Sequence, residues 1–247
     1  MISISRIKLF KSCRRAYELR YVHGLRPVQD AEALQIGHNY HEKIQQLLET
    51  GDFGADDLSK ESAMAMAYKK YVYPHFKAVS CETWFEKDGF HGRVDGVAED
   101  GSVIEHKTTS GDIGEDYEYN LQWDEQVLMY MWLADCRSIW YTVCKKPTIR
   151  QKKNESDEEF FQRMVDWYDD DTASKIRYFK VTRTDEEVQE FVSELWKTAD
   201  EMKNTDFFYK NTSFCHKWGR MCEYAPVCLH YDPNQEYIEF IKEEVET

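Results

Sequence analysis

The segment of residues 81–107 constrains the fold most, because it divides into three short runs separated by two tight turns. The runs CETWFEK, FHGRVDGVA and SVIEHK alternate apolar and polar residues, which is the pattern of half-buried β-strands. The intervening Asp88-Gly89 and Glu99-Asp100-Gly101 are typical of hairpin turns. The sequence therefore predicts a β-meander near the middle of the chain.

Segments on both sides of the meander show helical periodicity or strand-like runs. We predict helices at about residues 3–22, 31–49, 57–79, 119–135 and 184–203, and strands at 137–144 and 177–183. Thr184 and Glu187 have the spacing of a capping box at the start of the last helix. Residues 147–175 are polar and charged and indicate a projecting insertion with a short helix. No low-complexity linker or repeat divides the sequence, so residues 1–247 are expected to form a single domain.

The composition is that of a soluble globular protein, with 42% hydrophobic and 32% charged residues. No apolar run reaches the roughly 20 residues that span a bilayer, and the N-terminus MISISRIKLFKSCRR lacks the apolar stretch of a signal peptide. We therefore expect a cytoplasmic protein with no membrane partner. In that reducing compartment, clustered cysteines among the seven are expected to bind metal rather than to form disulfides.

The formal charge of −14 argues against a protein that coats nucleic acid non-specifically, because phosphate binding depends on Lys and Arg. The charge is unevenly distributed, however. Residues 1–26 hold seven basic side chains and one acid, and residues 145–153 hold five basic side chains and no acid. Local basic patches can therefore exist on an acidic protein.

Two carboxylates and a lysine occur on adjacent predicted strands of the meander. Glu105 and Lys107 share one strand face because side chains alternate, and a hairpin can bring Asp95 opposite them. Converging carboxylates repel each other unless a cation such as Mg²⁺ or Mn²⁺ lies between them. A water on that cation can attack a phosphodiester, and Lys107 can orient or deprotonate it. The alternative is an ordinary surface ion pair, because the acid-x-Lys tripeptide is common.

The order and spacing of Asp95, Glu105 and Lys107 resemble the core of the PD-(D/E)xK nuclease superfamily, with Val94 in place of the proline. Two further motifs resemble its RecB-like branch. The sequence GHNYH at residues 37–41 matches the GxxxH motif of this branch. The resemblance implies that His41 is a metal ligand. As a lone residue, His41 would more often be a surface or capping histidine.

The second branch motif is QVLMY at residues 126–130, which matches QxxxY. The spacing of four places Gln126 and Tyr130 on one helical face, where an amide and a phenol can hold DNA or order the metal site. A partly buried polar pair without a catalytic role is the alternative. The order of all these motifs along one chain is what makes the resemblance specific.

Three cysteines lie close together near the C-terminus, at Cys215, Cys222 and Cys228, and thiolates favour Zn²⁺ or an iron–sulfur cluster. With Cys13 as the fourth ligand, they resemble iron–sulfur nucleases of the AddB and CRISPR-adaptation type, which bind a [4Fe-4S] cluster. Those families often place the second and third cysteines two residues apart, whereas six residues separate Cys215 from Cys222 here. Zn²⁺ is therefore the alternative, with Cys13, His216 or His230 completing the ligands.

The resemblance implies an α/β, restriction-endonuclease-like fold in which helices flank a central mixed β-sheet, followed by a C-terminal cysteine-rich metal-cluster segment. The cluster would join the N-terminal helix, at about residues 3–23, to residues 207–230. The backbone carbonyl of His106 would be a further ligand of Mg²⁺ or Mn²⁺. The implied activity is hydrolysis of DNA, as an exonuclease on ends or single strands. The chain resembles a stand-alone phage-type or CRISPR-associated nuclease, with a recombination or CRISPR-adaptation protein as a candidate partner.

Two interpretations from other classes compete with a nuclease. A non-catalytic DNA-binding or assembly module would have little reason to keep the acidic, lysine and histidine positions together. A zinc or iron–sulfur redox sensor would explain the cysteines and leave the other motifs without a role. The sequence leaves the cleavage polarity, the strand preference and the oligomeric state open.

Overall fold

A computed structural model of the protein describes residues 1–28, 32–54, 57–217 and 220–243. The chain divides into two compact units. One unit contains Met1–Ala31 and Val192–Thr247, and the other contains Glu32–Phe191. The expectation that residues 1–247 form one domain stays a prediction.

The Glu32–Phe191 unit is built on a mixed five-stranded sheet with the order β2-β3-β4-β5-β6. Its strands are β2 (Ala78–Lys87), β3 (Phe90–Ala98), β4 (Val103–Thr109), β5 (Ser138–Lys145) and β6 (Ile176–Thr182). Strands β4 and β5 are parallel, and the other neighbouring pairs are antiparallel. Helices flank this sheet, so the predicted α/β class with a central mixed sheet is confirmed.

The meander predicted at residues 81–107 forms β2, β3 and β4, and its two hairpins differ in length. Strands β2 and β3 pair almost from end to end. Strands β3 and β4 pair only at Gly96 with Ile104 and at Val97 with Val103. Beyond these pairs the two strands separate, and we call the opening between them the β3–β4 fork.

The helices of this unit are α3 (Glu32–Thr50), α4 (Lys60–Tyr71), α5 (Glu115–Asn120), α6 (Glu125–Leu133), α7 (Asp157–Asp169) and α8 (Thr172–Lys175). The predicted helix at residues 57–79 is too long, because α4 ends at Tyr71 and β2 begins at Ala78. Pro74 explains the early end, since proline cannot continue a helix beyond its first turn. The predicted helix at residues 119–135 is likewise split into α5, a 3₁₀ turn and α6.

The predicted projecting insertion packs onto the core instead. Helix α7 begins with a capping box formed by Ser156 and Glu159, and it buries Met164 and Tyr168. Tyr168 joins a hydrophobic cluster with Tyr40 and Tyr68 of α3 and α4. The apolar residues of α7 recur at helical spacing among many charges, so the polar composition of the segment concealed its buried face.

The Met1–Ala31 and Val192–Thr247 unit combines the two ends of the chain. Its elements include α1 (Ile4–Ser12), α2 (Arg14–Tyr17), a π-helical turn (Glu18–Val22), β1 (Leu25–Pro27), β7 (His216–Lys217), β8 (Arg220–Met221), α10 (Ala225–Cys228) and β9 (Phe240–Lys242). The second boundary between the units falls inside α9 (Asp185–Asn204). The capping box predicted for this helix is confirmed, because Thr184 N donates to Glu187 Oε2 at 2.7 Å and Glu187 N donates to Thr184 Oγ1 at 3.2 Å.

The continuous helix predicted at about residues 3–23 is wrong, because it breaks at Cys13. Cys13 has an extended backbone, with φ −159° and ψ 110°. The break frees the N–H of Arg15, which donates to the Tyr209 carbonyl at 3.1 Å. Among the described residues, no helix combines the length and apolar character needed to cross a membrane.

Candidate functional site

The β3–β4 fork brings the two predicted carboxylates together. Gly96 pairs with Ile104, so Asp95 and Glu105 are the first residues on either side of the fork. Asp95 raises the pKa of Glu105, although burial is the larger cause, which shows that the two carboxyl groups lie within electrostatic range. The strand geometry thus places two acids where the sheet opens.

Asp95 is held by two groups from different elements. Its Oδ1 lies 3.3 Å from His41 Nδ1 of α3, and its Oδ2 accepts a hydrogen bond of 2.6 Å from the backbone N–H of His106. Burial acts to raise the pKa of Asp95, but the hydrogen bond and charge of His41 outweigh it and hold the pKa well below its ordinary value. In turn, burial acts to lower the pKa of His41, and Asp95 outweighs it and raises that pKa. Without a metal, His41 and Asp95 therefore each favour the charged form of the other.

A second network connects β4 with α6. The Lys107 ammonium donates to Glu105 and, at 3.0 Å, to Gln126 Oε1. Gln126 Nε2 donates to Glu105 Oε1 at 3.0 Å and to the Tyr130 hydroxyl at 2.9 Å. Burial lowers the pKa of Lys107, but the charge of Glu105 outweighs it, so that the pKa rises and the ammonium stays protonated. The predicted Gln126 and Tyr130 thus lie beside the predicted Glu105 and Lys107.

Tyr130 can approach the sheet because Gly92 has no side chain. A Cβ added at Gly92 would lie 2.8 Å from Tyr130 Cε1, which is closer than real Cβ atoms approach, and 3.0 Å from Leu133 Cδ1, which is a tight contact. Gly92 is the first residue of GRVDGV, whose alternation predicts the strand but gives no sign of this helix contact.

His106 has a buried side chain as well as a predicted carbonyl ligand. Its Nδ1 lies 2.7 Å from Thr142 Oγ1, and its Nε2 is buried without a hydrogen-bond partner among the described residues. Burial lowers the pKa of the imidazole to about 4, so the ring is neutral at pH 7. The predicted role of the His106 carbonyl stays a prediction.

An open cleft of about 610 Å³ lies beside Asp95 and His41. Its walls also contain Glu82, Arg93 and Lys146, which the sequence interpretation did not single out. Two signals were present in the sequence. Arg93 lies two positions before Asp95, hence on the same strand face, and Lys146 belongs to the basic run of residues 145–153.

The buried Oε2 of Glu105 has no hydrogen-bond partner among the described residues. Burial raises the pKa of this carboxyl to about 7 even though Lys107 acts in the opposite direction. A buried oxygen of this kind is destabilising unless a hydrogen-bond donor or a cation satisfies it. The fork therefore fits a divalent cation, which prefers carboxylate oxygens.

Within the described ranges, no group of three or more His, Cys, Asp or Glu side chains is arranged to hold a metal ion. Mg²⁺ is commonly held by one or two carboxylates together with waters, so a site with two carboxylates does not require a group of three. His38, the other histidine of the GHNYH segment, is exposed, and its Nε2 lies 3.3 Å from Glu42 Oε1.

The other unit gathers the four predicted cysteines in one region. Cys222 and Cys228 pack against the hydrophobic cluster that contains Cys13. Burial raises the pKa of both Cys222 and Cys228, and the thiols of Cys13 and Cys215 raise it further. Asn211 connects two of the four, because its N–H donates to Cys13 Sγ at 3.5 Å and its carbonyl lies 3.8 Å from Cys215 Sγ. The sequence interpretation did not identify Asn211.

A mixed sheet with an acid-x-Lys strand at an open fork defines the restriction-endonuclease-like class of folds. The family model described as the PD-(D/E)XK nuclease superfamily matches residues 1–72 and 60–229. These matches cover most of the chain, which therefore belongs to the PD-(D/E)XK nuclease superfamily.

Among solved structures, the chain is similar to a phage-related exonuclease from Haemophilus somnus 129PT, with 20% identity over 66% of this chain and 80% of that chain and a TM-score of 0.37. It is also similar to an alkaline exonuclease from Laribacter hongkongensis, with 11% identity over 82% of this chain and 87% of that chain and a TM-score of 0.39. No curated protein matches the chain by sequence. The family match, rather than either structure, carries the assignment to nucleases.

Proposed function

We propose that the protein is a divalent-metal-dependent DNA nuclease that hydrolyses phosphodiesters at DNA ends or in single strands. The observation that carries the proposal is the Glu105 Oε2 oxygen, which is buried at the β3–β4 fork without a partner among the described residues. A cation between Glu105 and Asp95 would satisfy this oxygen and remove the repulsion between the two carboxylates.

Four groups are proposed to hold Mg²⁺ or Mn²⁺: the carboxylates of Asp95 and Glu105, the carbonyl of His106 and the imidazole of His41. When bound, the cation would supply Lewis-acid polarisation of the scissile phosphate and offset its developing charge. His41 already lies beside Asp95 at 3.3 Å, which supports a role for α3 in this site.

Lys107 is proposed to orient the attacking water and to stabilise the negative charge that develops on the phosphate. Its raised pKa supports the protonated form, which donates hydrogen bonds, over a role as the general base. Gln126 holds both Lys107 and Glu105, so its proposed role is to position the two groups of the acid-x-Lys motif. Tyr130 supports Gln126 in turn.

The finer features of the activity are also proposals. The proposed substrate is DNA. The proposed enzyme is an exonuclease that acts in the cytoplasm, alone or with a recombination or CRISPR-adaptation partner.

We further propose that Cys13, Cys215, Cys222 and Cys228 hold a [4Fe-4S] cluster, with Zn²⁺ as the alternative. The gathering of these thiols in one region supports the proposal, and thiolate is the ligand that both metals accept. Although the four thiols share one region, the described structure does not arrange three or more of them as a metal-ligand set.

A cleavage assay on end-labelled linear DNA, beside a closed circle of the same sequence, tests the nuclease. We expect the linear DNA to be degraded with Mg²⁺ or Mn²⁺ and not with EDTA. Glu105→Gln, which keeps the shape of the side chain and removes its charge, should lower the rate at least about 100-fold. Asp95→Asn and Lys107→Ala should have effects of similar size.

The matched control is Glu99→Gln. Glu99 is an exposed acid in the turn after β3, and its carboxylate pairs with Lys77. This variant should cleave at the wild-type rate. Thermal unfolding and Mn²⁺ binding by calorimetry accompany the rates. If Glu105→Gln keeps wild-type cleavage and Mn²⁺ affinity with an unchanged melting temperature, the catalytic assignment is wrong.

A further inference from the structure

We infer that the outer part of the β2–β3 hairpin binds single-stranded DNA and leads it to the β3–β4 fork. The surface consists of Trp84, His91 and Arg93, and we call it the Trp84 platform. The inference rests on the proposed nuclease function and names the form of its substrate.

The three residues of the Trp84 platform share one face of the sheet. Arg93 and His91 alternate with buried residues along β3, and Trp84 of β2 is the cross-strand partner of Arg93. Partners in an antiparallel pair point to the same face. The distances agree, because the Arg93 guanidinium lies 5.8 Å from the centre of the Trp84 ring and the His91 ring lies 5.7 Å from it.

The Trp84 platform presents a large aromatic ring and a cation to solvent. Trp84 is 59% exposed and the Arg93 side chain is 56% exposed. β2 is an edge strand of the five-stranded sheet. An exposed indole next to a guanidinium is a recurring arrangement for nucleic acid, since bases stack on the ring and phosphates pair with the cation.

The Trp84 platform is continuous with the candidate catalytic site. Arg93 lines the same cleft as Asp95 and His41, and Asp95 follows Arg93 by two positions in β3, a distance of about 7 Å along the backbone. Val94 and Gly96, which flank Asp95, pair with Thr83 and Cys81 of β2, so Glu82 lies across from Asp95. Glu82 also forms a 2.8 Å ion pair with Arg93. The row from Trp84 through Arg93 to Asp95 therefore ends at the proposed site of hydrolysis.

The charge of the cleft is mixed, whereas the chain as a whole has a net charge of −14. The cleft carries the cations Arg93 and Lys146 beside the carboxylates of Glu42, Glu82 and Asp95, and Glu82 pairs with Arg93, so a phosphate would have to compete with Glu82 for the guanidinium. Burial is the main cause that lowers the pKa of Lys146, which indicates that its amine is partly withdrawn from water into the cleft wall. These two cations offer a local path for phosphates.

The aromatic ring favours a single strand over a duplex. Bases in a duplex are stacked on one another, and their faces are inaccessible to a protein side chain. An unpaired base exposes its face and can stack on Trp84, whereas a duplex would meet this surface through phosphates alone. We therefore assign Trp84 to base stacking and Arg93 to the adjacent phosphate.

Fluorescence anisotropy in EDTA measures binding without hydrolysis. The probes are a labelled 20-nucleotide oligothymidine, an abasic strand of the same length and a 20-base-pair duplex. Trp84→Ala should weaken binding of oligothymidine about tenfold and leave duplex binding within about twofold. Trp84→Phe should restore most of the affinity. Wild-type protein should bind the abasic strand as weakly as Trp84→Ala binds oligothymidine.

Arg93→Ala should weaken binding of oligothymidine and of the abasic strand by the same factor, because a phosphate contact does not depend on the base. The matched control is Trp196→Ala, which removes an exposed indole of α9 and should not change any affinity. Trp84→Thr, a good strand former, replaces Trp84→Ala if the alanine variant does not fold.

Equal losses on oligothymidine and duplex, or unchanged binding in both Trp84→Ala and Trp84→Thr, would overturn the inference. A separate outcome concerns the proposed function. If wild-type protein does not cleave DNA with Mg²⁺ but Trp84→Ala still loses oligothymidine selectively, the Trp84 platform stands and the nuclease proposal fails. If wild-type protein cleaves and the Trp84 variants bind normally, only the inference fails.

Discussion

His106 illustrates how one buried side chain can make the stability of a protein depend on pH. Its imidazole is only 2% exposed, and its Nδ1 lies 2.7 Å from the Thr142 hydroxyl oxygen. Both neighbours in sequence, Glu105 and Lys107, belong to the acid-x-Lys motif. The strand that presents the carboxylate and the lysine therefore also buries a neutral histidine.

We predict that His106 makes the metal-free protein less stable in acid. Burial lowers its pKa from 6.5 in the unfolded chain to about 4 in the fold. The neutral form is thus favoured on folding, so the contribution of His106 is complete above pH 6.5 and is lost as the pH falls towards 4. The loss across this range should be about 3 kcal/mol, from the difference between the two pKa values.

Urea unfolding at several pH values in EDTA measures this effect. The free energy of unfolding should fall more between pH 6.5 and pH 4 in wild-type protein than in His106→Gln, which cannot gain a proton. Other titrating groups are common to both proteins and cancel in the comparison. Parallel curves for the two proteins would show that folding does not lower the pKa of the His106 imidazole.

At the scale of an element, the β2–β3 hairpin depends on close packing around Gly96. A Cβ added at Gly96 would lie 2.8 Å from the Ser80 carbonyl oxygen and 3.4 Å from Ile104 Cδ1. The first of these atoms belongs to the backbone of β2, which cannot rotate away like a side chain. Gly96 is also the last residue of β3 that pairs with β4 before the fork.

Gly96→Ala is therefore predicted to destabilise the protein by about 1–3 kcal/mol, because β2 must move to admit the methyl group. Cleavage should fall as well, since the displaced pairing would change the position of Asp95. Equilibrium unfolding in urea and the cleavage assay measure the two effects. The control is Gly111→Ala, whose Cβ would meet its nearest atom, Thr109 Oγ1, at 3.7 Å.

The control should change the free energy of unfolding by less than about 0.5 kcal/mol. Equal stability of the Gly96→Ala and Gly111→Ala proteins would mean that β2 tolerates a wider spacing from β3 than the structure indicates. A loss of cleavage without a loss of stability in Gly96→Ala would place the whole effect at the fork.

At the scale of the whole molecule, the two ends of the chain lie in one unit. Strand β1 pairs with β9, and Tyr224 donates from its hydroxyl to the Leu25 carbonyl at 3.2 Å. The cysteines near both ends are gathered in this unit, so a metal bound there would tie N-terminal and C-terminal segments together. Closing a long loop in this way stabilises a fold through the entropy of the unfolded chain.

Protein purified without oxygen is predicted to be brown and to contain about four iron atoms per chain. Cys13→Ala should lose the iron and melt at least about 5 °C lower, because metal binding contributes to folding. Cys136→Ala, which removes a cysteine outside the cluster, should keep both colour and iron. Metal analysis and thermal unfolding provide the readouts.

Two results would contradict this prediction in different ways. One zinc and no iron would reject the iron–sulfur cluster and retain a metal that joins the two ends. Neither metal, together with unchanged melting of Cys13→Ala, would reject both. If the cluster is present, Glu105→Gln should keep the brown colour, because Glu105 belongs to the other unit.

Local sequence patterns determined the strands and several helix ends. Alternation and two turn sequences predicted β2, β3 and β4, and the spacing of Thr184 and Glu187 predicted the start of α9. These features depend on contacts between residues near in sequence, which periodicity and capping rules describe well. The same patterns brought Glu105 and Lys107 to one face of β4.

Only the tertiary structure decided where strands separate and which polar atoms lose water. The short β3–β4 pairing opens the fork at Asp95, and α6 packs Gln126 against Glu105 so that one carboxylate oxygen stays buried without a partner among the described residues. The break at Cys13 and the burial of α7 likewise depend on segments distant in sequence. Burial and long-range pairing arise from the packing of whole elements, and a local pattern contains no information on which element covers a given side chain.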